Sequence, residues 1–279
     1  MARSFRIIGN MEPESPVVLS VPHAGRDYPL PLRAALRAPL ASLAALEDRH
    51  VDSIALGARD NETLLMQLAP RAWIDLNRSE NDRDPLIDEG ACRLHLSAKV
   101  RAGIGLVPRR TAAAGELWHR KLSSEEVEAR IATDHRPYHD TLCALLGAAR
   151  RRFGCAVLLD IHSMPPIAGG RARLVIGDRF GRAAASRFVR RVEMEVDGDG
   201  LNHAINTPYA GGHILDRHGA PRQGIHAIQI EFDRSLYLDR KLDCCGPGAA
   251  GTTSLLRRII EGLTDEALSS PGALAQAAE

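Results

Sequence analysis

The stretch AVLLDIHSMPP, residues 156–166, joins an apolar run to two polar side chains. An apolar run of this kind is typical of a strand buried on both faces, and the two prolines at its end prevent its continuation. Asp160 and His162 are two residues apart, so a strand places them on the same face. Two interpretations are open: a hydrogen-bonded pair at a strand end, or a reactive site at the carboxyl edge of a sheet.

Further apolar runs alternate with helical patterns along the chain. Strands are predicted over residues 16–21, 63–68, 72–76, 171–177 and 226–233, and helices over 39–59, 123–153 with a division at Pro137, 179–196 and 252–263. This alternation predicts an α/β fold with a mixed, mostly parallel central sheet flanked by helices. We expect a single catalytic domain over residues 1–279, with its core over 16–263 and a flexible tail over 264–279.

Composition limits the class of protein. The formal net charge is +1, with acidic and basic residues interleaved, which argues against a nucleic-acid partner. No stretch is apolar over the roughly 18 to 20 residues that span a bilayer, and the first residues lack the apolar core of an export signal. The five cysteines form no CxxC pair. We therefore expect a cytoplasmic protein without a membrane partner, and the oligomeric state stays open.

Polar side chains follow or interrupt several predicted strands. They are His23, the pair Asn77 and Arg78, His162 and Glu231. In an open α/β sheet, ligands collect beyond the carboxyl ends of the strands. The chain has no GxGxxG, P-loop or GxSxG motif, so histidines, an arginine and a glutamate at this edge predict a metal hydrolase rather than a nucleotide site.

A metal site needs a particular set of ligands. Catalytic zinc commonly takes two imidazoles and one carboxylate, which His23, His162 and an acid from EDRHVD (47–52) would supply. Asp48 and Asp52 are both candidates, since four residues place them on one face of the predicted helix. The predicted cofactor is one Zn²⁺ per chain, although these ligands also accept cobalt and manganese. The structural alternative is that EDRH is a solvated helix face.

The remaining polar groups have predicted roles around that metal. Glu231 is the candidate general base for the attacking water, and Asp160 the candidate partner that orients His162. Arg78 offers a guanidinium fork for a substrate carboxylate. The structural alternative for Glu231 is a buried ion pair with an arginine such as Arg234.

Eight short motifs occur in order over residues 16–260: VVLSVPHAGRDYP, EDRHVD, IDLNRSENDRDP, IGLVPRR, RPYHDTL, LLDIHSMPP, YAGGHILDRHGAP and GIHAIQIEFDRSLYLD. This ordered series resembles the motifs of the N-formylglutamate amidohydrolase family. The resemblance implies a zinc-peptidase-like α/β fold akin to carboxypeptidases and a mononuclear zinc that hydrolyses an N-acyl amino acid. It further implies cleavage of N-formyl-L-glutamate to formate and L-glutamate, the last step of one histidine-degradation route.

The resemblance also assigns metal and base roles. His23 matches the histidine of the PH.G pattern, His162 that of D.H, and Glu231 the glutamate of Q.E. Asp52 fits the acid of the shared pattern best, with Asp48 kept open.

Substrate contacts follow from the same resemblance. Asn77 and Arg78 resemble the carboxylate-binding pair of related zinc acylases, and His213 and His218 lie on a loop expected near the site. Arg109 or His213 is the candidate cation for the tetrahedral oxyanion. His213 stands where many relatives carry an aromatic residue, which leaves the substrate open. A different N-acyl amino acid or peptide-like amide, a non-catalytic metal- or ligand-binding member of the fold, and a metal-free structural role are the alternatives.

Overall fold

The computed structural model describes residues 4–170 and 172–269. Within these residues the strands are β1 (Phe5–Ile8), β2 (Val17–Val21), β3 (Thr63–Gln67), β4 (Arg110–Thr111), β5 (Gly115–Glu116), β6 (Ala156–Met164), β7 (Leu174–Gly177), β8 (His203–Ile205) and β9 (Ile225–Asp233). The α-helices are α1 (Leu30–Ala35), α2 (Val51–Ala58), α3 (Ala98–Arg101), α4 (Ser124–Arg130), α5 (Arg136–Phe153), α6 (Ser186–Gly198), α7 (His213–His218) and α8 (Ala249–Leu268). None of the described helices combines the length and apolar character needed to cross a bilayer.

The central sheet confirms the predicted fold class. Its strand order, over the described residues, is β1-β3-β2-β6-β9-β7-β8. The pairs β2–β6, β6–β9 and β7–β8 are parallel, while β7 runs antiparallel to β9. β2 and β6 are buried along their whole length, as the apolar runs predict for central strands covered on both faces.

The chain divides into two compact units. Among the described residues, unit 1 comprises 4–6, 22–47 and 66–140, and unit 2 comprises 7–21, 48–65, 141–170 and 172–269. The single catalytic domain over residues 1–279 stays a prediction.

Unit 2 contains most of the sheet and the helices that cover it. α2 packs on β2, β6 and α8, and α8 also packs on α6, while α7 contacts β6 and β9. The final helix, α8, is longer than the predicted helix over 252–263. It runs to Leu268 and so includes residues 264–268, which were predicted to belong to a flexible tail. Residues 270–279 lie outside the described residues.

Unit 1 shows where two local predictions are wrong. Residues 72–76 form no strand, and the carbonyls of Trp73 and Leu76 accept hydrogen bonds from Arg130 and His139 instead. The helix division predicted at Pro137 does not occur, since a π-helical segment, Ile131–His135, joins α4 to α5. A wider turn just before the proline removes the need for its missing N–H donor.

Helix α2 begins later than the sequence predicts. Residues 40–46 form a 3₁₀ helix, and Asp48 lies in a turn whose carbonyl accepts a hydrogen bond from the Val51 N–H at 3.2 Å. His50 adopts a left-handed conformation with φ 57° immediately before α2. The spacing predicts that Asp48 and Asp52 share a helix face. This prediction is wrong, because Asp48 lies in the turn before α2 and only Asp52 lies in the helix.

Candidate active site

Strands β6 and β9 of unit 2 carry a row of polar side chains on one face. In the parallel register Asp160 pairs with Gln229 and His162 with Glu231, and alternation puts all four on the same side of the sheet. All four residues are buried. The amide nitrogen of Gln229 donates a hydrogen bond to Oε1 of Glu231 at 2.9 Å. Because buried polar groups need partners, so dense a row in the middle of the sheet indicates a functional site.

Both ring nitrogens of His162 face carboxylate oxygens. Nε2 lies 2.8 Å from Oδ2 of Asp160, and Nδ1 lies 3.0 Å from Oδ2 of Asp48. Burial disfavours the charged imidazole, but Asp160, Asp48 and Glu231 outweigh it and raise the pKa of His162 well above its usual value. Asp160 is itself held by the Ser20 hydroxyl, which donates to Oδ1 at 2.7 Å. The structure thus places Asp160 where the sequence predicted an orienting partner.

Asp48 is the acid that the structure brings to His162. Its second oxygen, Oδ1, lies 3.3 Å from Nη2 of Arg234, and Arg234 also donates from Nε to the Ser163 hydroxyl at 3.2 Å. Asp52 lies in the first turn of α2. Sequence reasoning named Arg234 only as a partner for Glu231; its bond to Asp48 joins positions 186 residues apart and has no local signal.

In unit 1, His23 has a buried carboxylate partner that sequence reasoning missed. Its Nε2 lies 2.8 Å from Oδ1 of Asp75. Burial opposes ionisation of Asp75, but Arg71 at 2.8 Å and Arg78 at 3.8 Å, together with His23, hold the pKa of this carboxyl well below its usual value. An acid inside the apolar run AWIDL was the available signal, of the same kind as Asp160 in AVLLDI.

Asn77 and Arg78 lie directly after Asp75. The Asn77 N–H donates to Oδ1 of Asp75 at 2.9 Å. Arg78 donates from Nε to the Ile104 carbonyl at 2.8 Å and from Nη1 to the Asn77 carbonyl at 2.7 Å. Burial lowers the pKa of Arg78 from its usual value. The guanidinium is therefore held in one orientation by the backbone around it.

The remaining predicted contacts are Arg109 in unit 1 and His213 and His218 in unit 2. Within unit 1, Arg109 donates from Nε to Asp84 at 2.9 Å and is ion-paired with Glu116. The prediction that His213 and His218 lie on a loop is wrong, because they are the first and last residues of helix α7 in unit 2. Burial, with Arg217 and His213 adding to it, lowers the pKa of His218 to about 3.

The donor types fit a divalent transition metal. Nδ1 of His162 and Oδ2 of Asp48 are 3.0 Å apart, and neighbouring ligands of a tetrahedral zinc ion with bonds of about 2.0–2.1 Å stand about 3.3 Å apart. The ring nitrogen of a histidine that does not bind the metal commonly donates a hydrogen bond to a carboxylate. Asp160 can accept such a bond from His162, and Asp75 from His23.

Comparison with known proteins decides the family. The model of the N-formylglutamate amidohydrolase family matches residues 15–238. The chain belongs to this family. N-formylglutamate deformylases of Pseudomonas putida and Pseudomonas aeruginosa are 30% and 27% identical to it over 80% and 89% of this chain, covering 82% and 92% of theirs. Membership makes the protein an enzyme that acts on a linear amide.

Solved structures support the same assignment. The crystal structure of N-formylglutamate amidohydrolase from Ralstonia eutropha JMP134 has a TM-score of 0.83 and 32% sequence identity, covering 95% of this chain and 98% of that one. A gene product of Agrobacterium tumefaciens has a TM-score of 0.70 at 19% identity, over 95% of this chain and 96% of its own. The latter supports the fold alone.

Proposed function

We propose that the protein is a zinc-dependent deformylase that hydrolyses N-formyl-L-glutamate to formate and L-glutamate. The carrying observation is His162, held between Asp48 and Asp160 and paired in register with Glu231, in a chain of this family. The names of the Pseudomonas and Ralstonia relatives support the substrate. Histidine catabolism and a cytoplasmic location stay predictions.

We assign the metal ligands to His23, Asp48 and His162. Asp48 is preferred to Asp52 because its carboxylate meets Nδ1 of His162. For His23 the support is its buried carboxylate partner and its position in the chain, two residues after the end of β2. A tether of two residues spans at most about 7 Å, so chain connectivity keeps His23 near the carboxyl end of that strand.

The chain's own residues then carry the proton and the substrate. When bound, zinc would act as a Lewis acid for the formyl carbonyl and would lower the pKa of the attacking water to about 7. Glu231, oriented by Gln229, accepts the proton of the attacking water and returns it to the amine nitrogen as the C–N bond breaks. Formate and the free amine of glutamate leave, so one water is consumed for each amide cleaved.

Arg78 and Asn77 are assigned to the α-carboxylate of the substrate. Arg78 is buried and fixed by two backbone carbonyls, so its outer N–H groups form a preorganised fork for a carboxylate. Substrate contacts from His213 and His218, and stabilisation of the oxyanion by Arg109 or His213, stay predictions.

The decisive experiment is a deformylation assay on zinc-loaded protein. N-formyl-L-glutamate is compared with N-formylaspartate, N-acetylglutamate and N-acetylaspartate, and formate or acetate release is measured. We expect turnover of N-formyl-L-glutamate at least tenfold above the others. Equal turnover of the acetyl compounds would indicate a broader N-acyl amino acid hydrolase. Binding of zinc without turnover of any compound would indicate a non-catalytic member of the family.

A further inference from the structure

Two buried histidines of unit 1 hold the backbone on which Arg78 stands. Nε2 of His135 donates to the carbonyl of Arg78 at 2.8 Å, and Nε2 of His139 donates to the carbonyl of Leu76 at 3.0 Å. Both histidines are fully buried. Neither Leu76 nor Arg78 lies in a strand of the described residues, so the imidazoles supply the hydrogen bonds that these two backbone carbonyls require when they are buried.

The same helix holds this backbone at a third place, through Trp73. Arg130 donates to the Trp73 carbonyl at 3.0 Å and lies over its ring at 3.8 Å, while the indole N–H donates to Asp134 at 2.8 Å. Residues 73–78 are thus bonded at both ends and near the middle to one continuous helix. Rigid secondary structure positions a binding group more accurately than a loop can by itself.

The geometry of the two histidines follows from the helix that carries them. His135 ends the π-helical segment and His139 lies one turn later in α5, so the two rings share a face and lie 4.4 Å apart. π-Helical segments are rare in proteins, and those that occur are often found at functional sites. Here the segment falls in the part of the helix that contacts residues 73–78.

We propose that His135 and His139 are positioning residues for substrate binding, which act by fixing the backbone of Arg78. This inference rests on the proposed function, in which Arg78 binds the substrate α-carboxylate. With its own carbonyl held by His135 and its Nε held by Ile104, the guanidinium has little freedom left to lose when a carboxylate binds. Loss of either imidazole bond therefore weakens substrate binding rather than the chemical step.

The test replaces each histidine with glutamine or asparagine, whose side-chain amides differ in length. The side-chain nitrogen of glutamine can occupy the place of Nε2 of a histidine, whereas asparagine is one methylene shorter and reaches only the place of Nδ1. We expect His139→Gln to keep KM within about twofold of the parent. We expect His139→Asn to raise KM about tenfold, the effect of one lost buried hydrogen bond, with kcat within about twofold and metal content unchanged. His135→Gln and His135→Asn repeat the comparison at the other imidazole.

A matched control lies in unit 2. His226 is also buried and makes one backbone hydrogen bond, accepting from the Ala185 N–H at 3.2 Å. We expect His226→Gln to lower the melting temperature and leave KM unchanged. The proposal is overturned if asparagine at 139 and at 135 leaves KM unchanged, if glutamine raises KM as much as asparagine does, or if His226→Gln raises KM equally.

A binding measurement separates this inference from the proposed function. The Kd of N-formyl-L-glutamate is measured by calorimetry for the parent and the four variants. If the parent binds this compound but hydrolyses none of the N-acyl amino acids, the proposed function fails, and a tenfold weaker Kd in the asparagine variants still supports the positioning role. If the parent does not bind it, the positioning role fails too.

Discussion

At the scale of single residues, the environment shifts the pKa values of two histidines of unit 2 in opposite directions. The pKa of His162 is raised because Asp48 and Asp160 outweigh the effect of burial. The pKa of His218 is lowered to about 3 by burial, with Arg217 and His213 adding to it. Carboxylates around an imidazole favour the binding of a cation, either a proton or a metal ion. His162 has such surroundings, whereas burial makes His218 a poor site for a cation.

The choice between the two candidate acids gives the first prediction. Asp48→Asn should reduce bound zinc at least tenfold, because it removes the charged oxygen beside Nδ1 of His162. Asp52→Asn, on α2, should keep metal content and activity within about twofold of the parent. Elemental analysis of both purified variants measures this. The reverse pattern would return the ligand role to Asp52.

The second prediction concerns the general base. Glu231→Gln should retain zinc and lower kcat by about two orders of magnitude or more, since an amide cannot accept the proton. Glu261→Gln, an exposed glutamate of α8 in the same unit, is the control and should leave kcat unchanged. Near-parental turnover of the Glu231 variant with zinc bound would refute the assigned base.

At the scale of elements, short turns and strand ends decide where the polar groups lie. β6 and β9 are each nine residues long, so their register carries Asp160, His162, Gln229 and Glu231 into one buried row. Asp48 reaches that row from a turn, and not from α2, because the helix begins only at Val51. At the other end of β9, His226 bonds the backbone at the N-terminal end of α6.

His226 gives a prediction of pH dependence. Burial, with Arg187 adding to it, lowers the pKa of His226 to about 4, whereas an unfolded histidine titrates near ~6.5. Between these values the unfolded chain binds more protons, so stability falls as the pH is lowered from about 6.5 towards 4. In His226→Gln this loss should be shallower by up to roughly 1 kcal/mol per pH unit. Chemical denaturation at pH 7.5, 6 and 5 measures the slopes, and equal slopes would contradict the assignment.

At the scale of the whole molecule, a metal ion that binds only the folded chain must stabilise it. At a free zinc concentration 1,000 times Kd the gain is about 4 kcal/mol. Chelation should therefore lower the melting temperature by roughly 10 °C and abolish turnover, and zinc should restore both. Magnesium, which prefers oxygen ligands, is the control and should restore neither. Full activity after complete removal of metal would refute the proposed mechanism.

Much of the fold could be predicted because its signals are local. β2 and the first half of β6 are continuous apolar runs, β9 alternates apolar with polar residues, and the helices covering them show a helical period. The prediction failed at residues 72–76, where an apolar run is held by Arg130 and His139 instead of by a strand partner. Those partners lie 57 and 63 residues further along the chain, beyond the reach of any local pattern.

The sequence by itself determined the fold class, the family and the residue types of the candidate site. These follow from hydrophobic periodicity and from short motifs, which depend only on neighbours in the chain. Only the tertiary structure decided that Asp48 meets His162, that Asp75 meets His23, and that two imidazoles bond the carbonyls of Leu76 and Arg78. The contact of His162 with Asp48 joins positions 114 residues apart, and such pairings arise from strand register and helix packing, which no single stretch of sequence encodes.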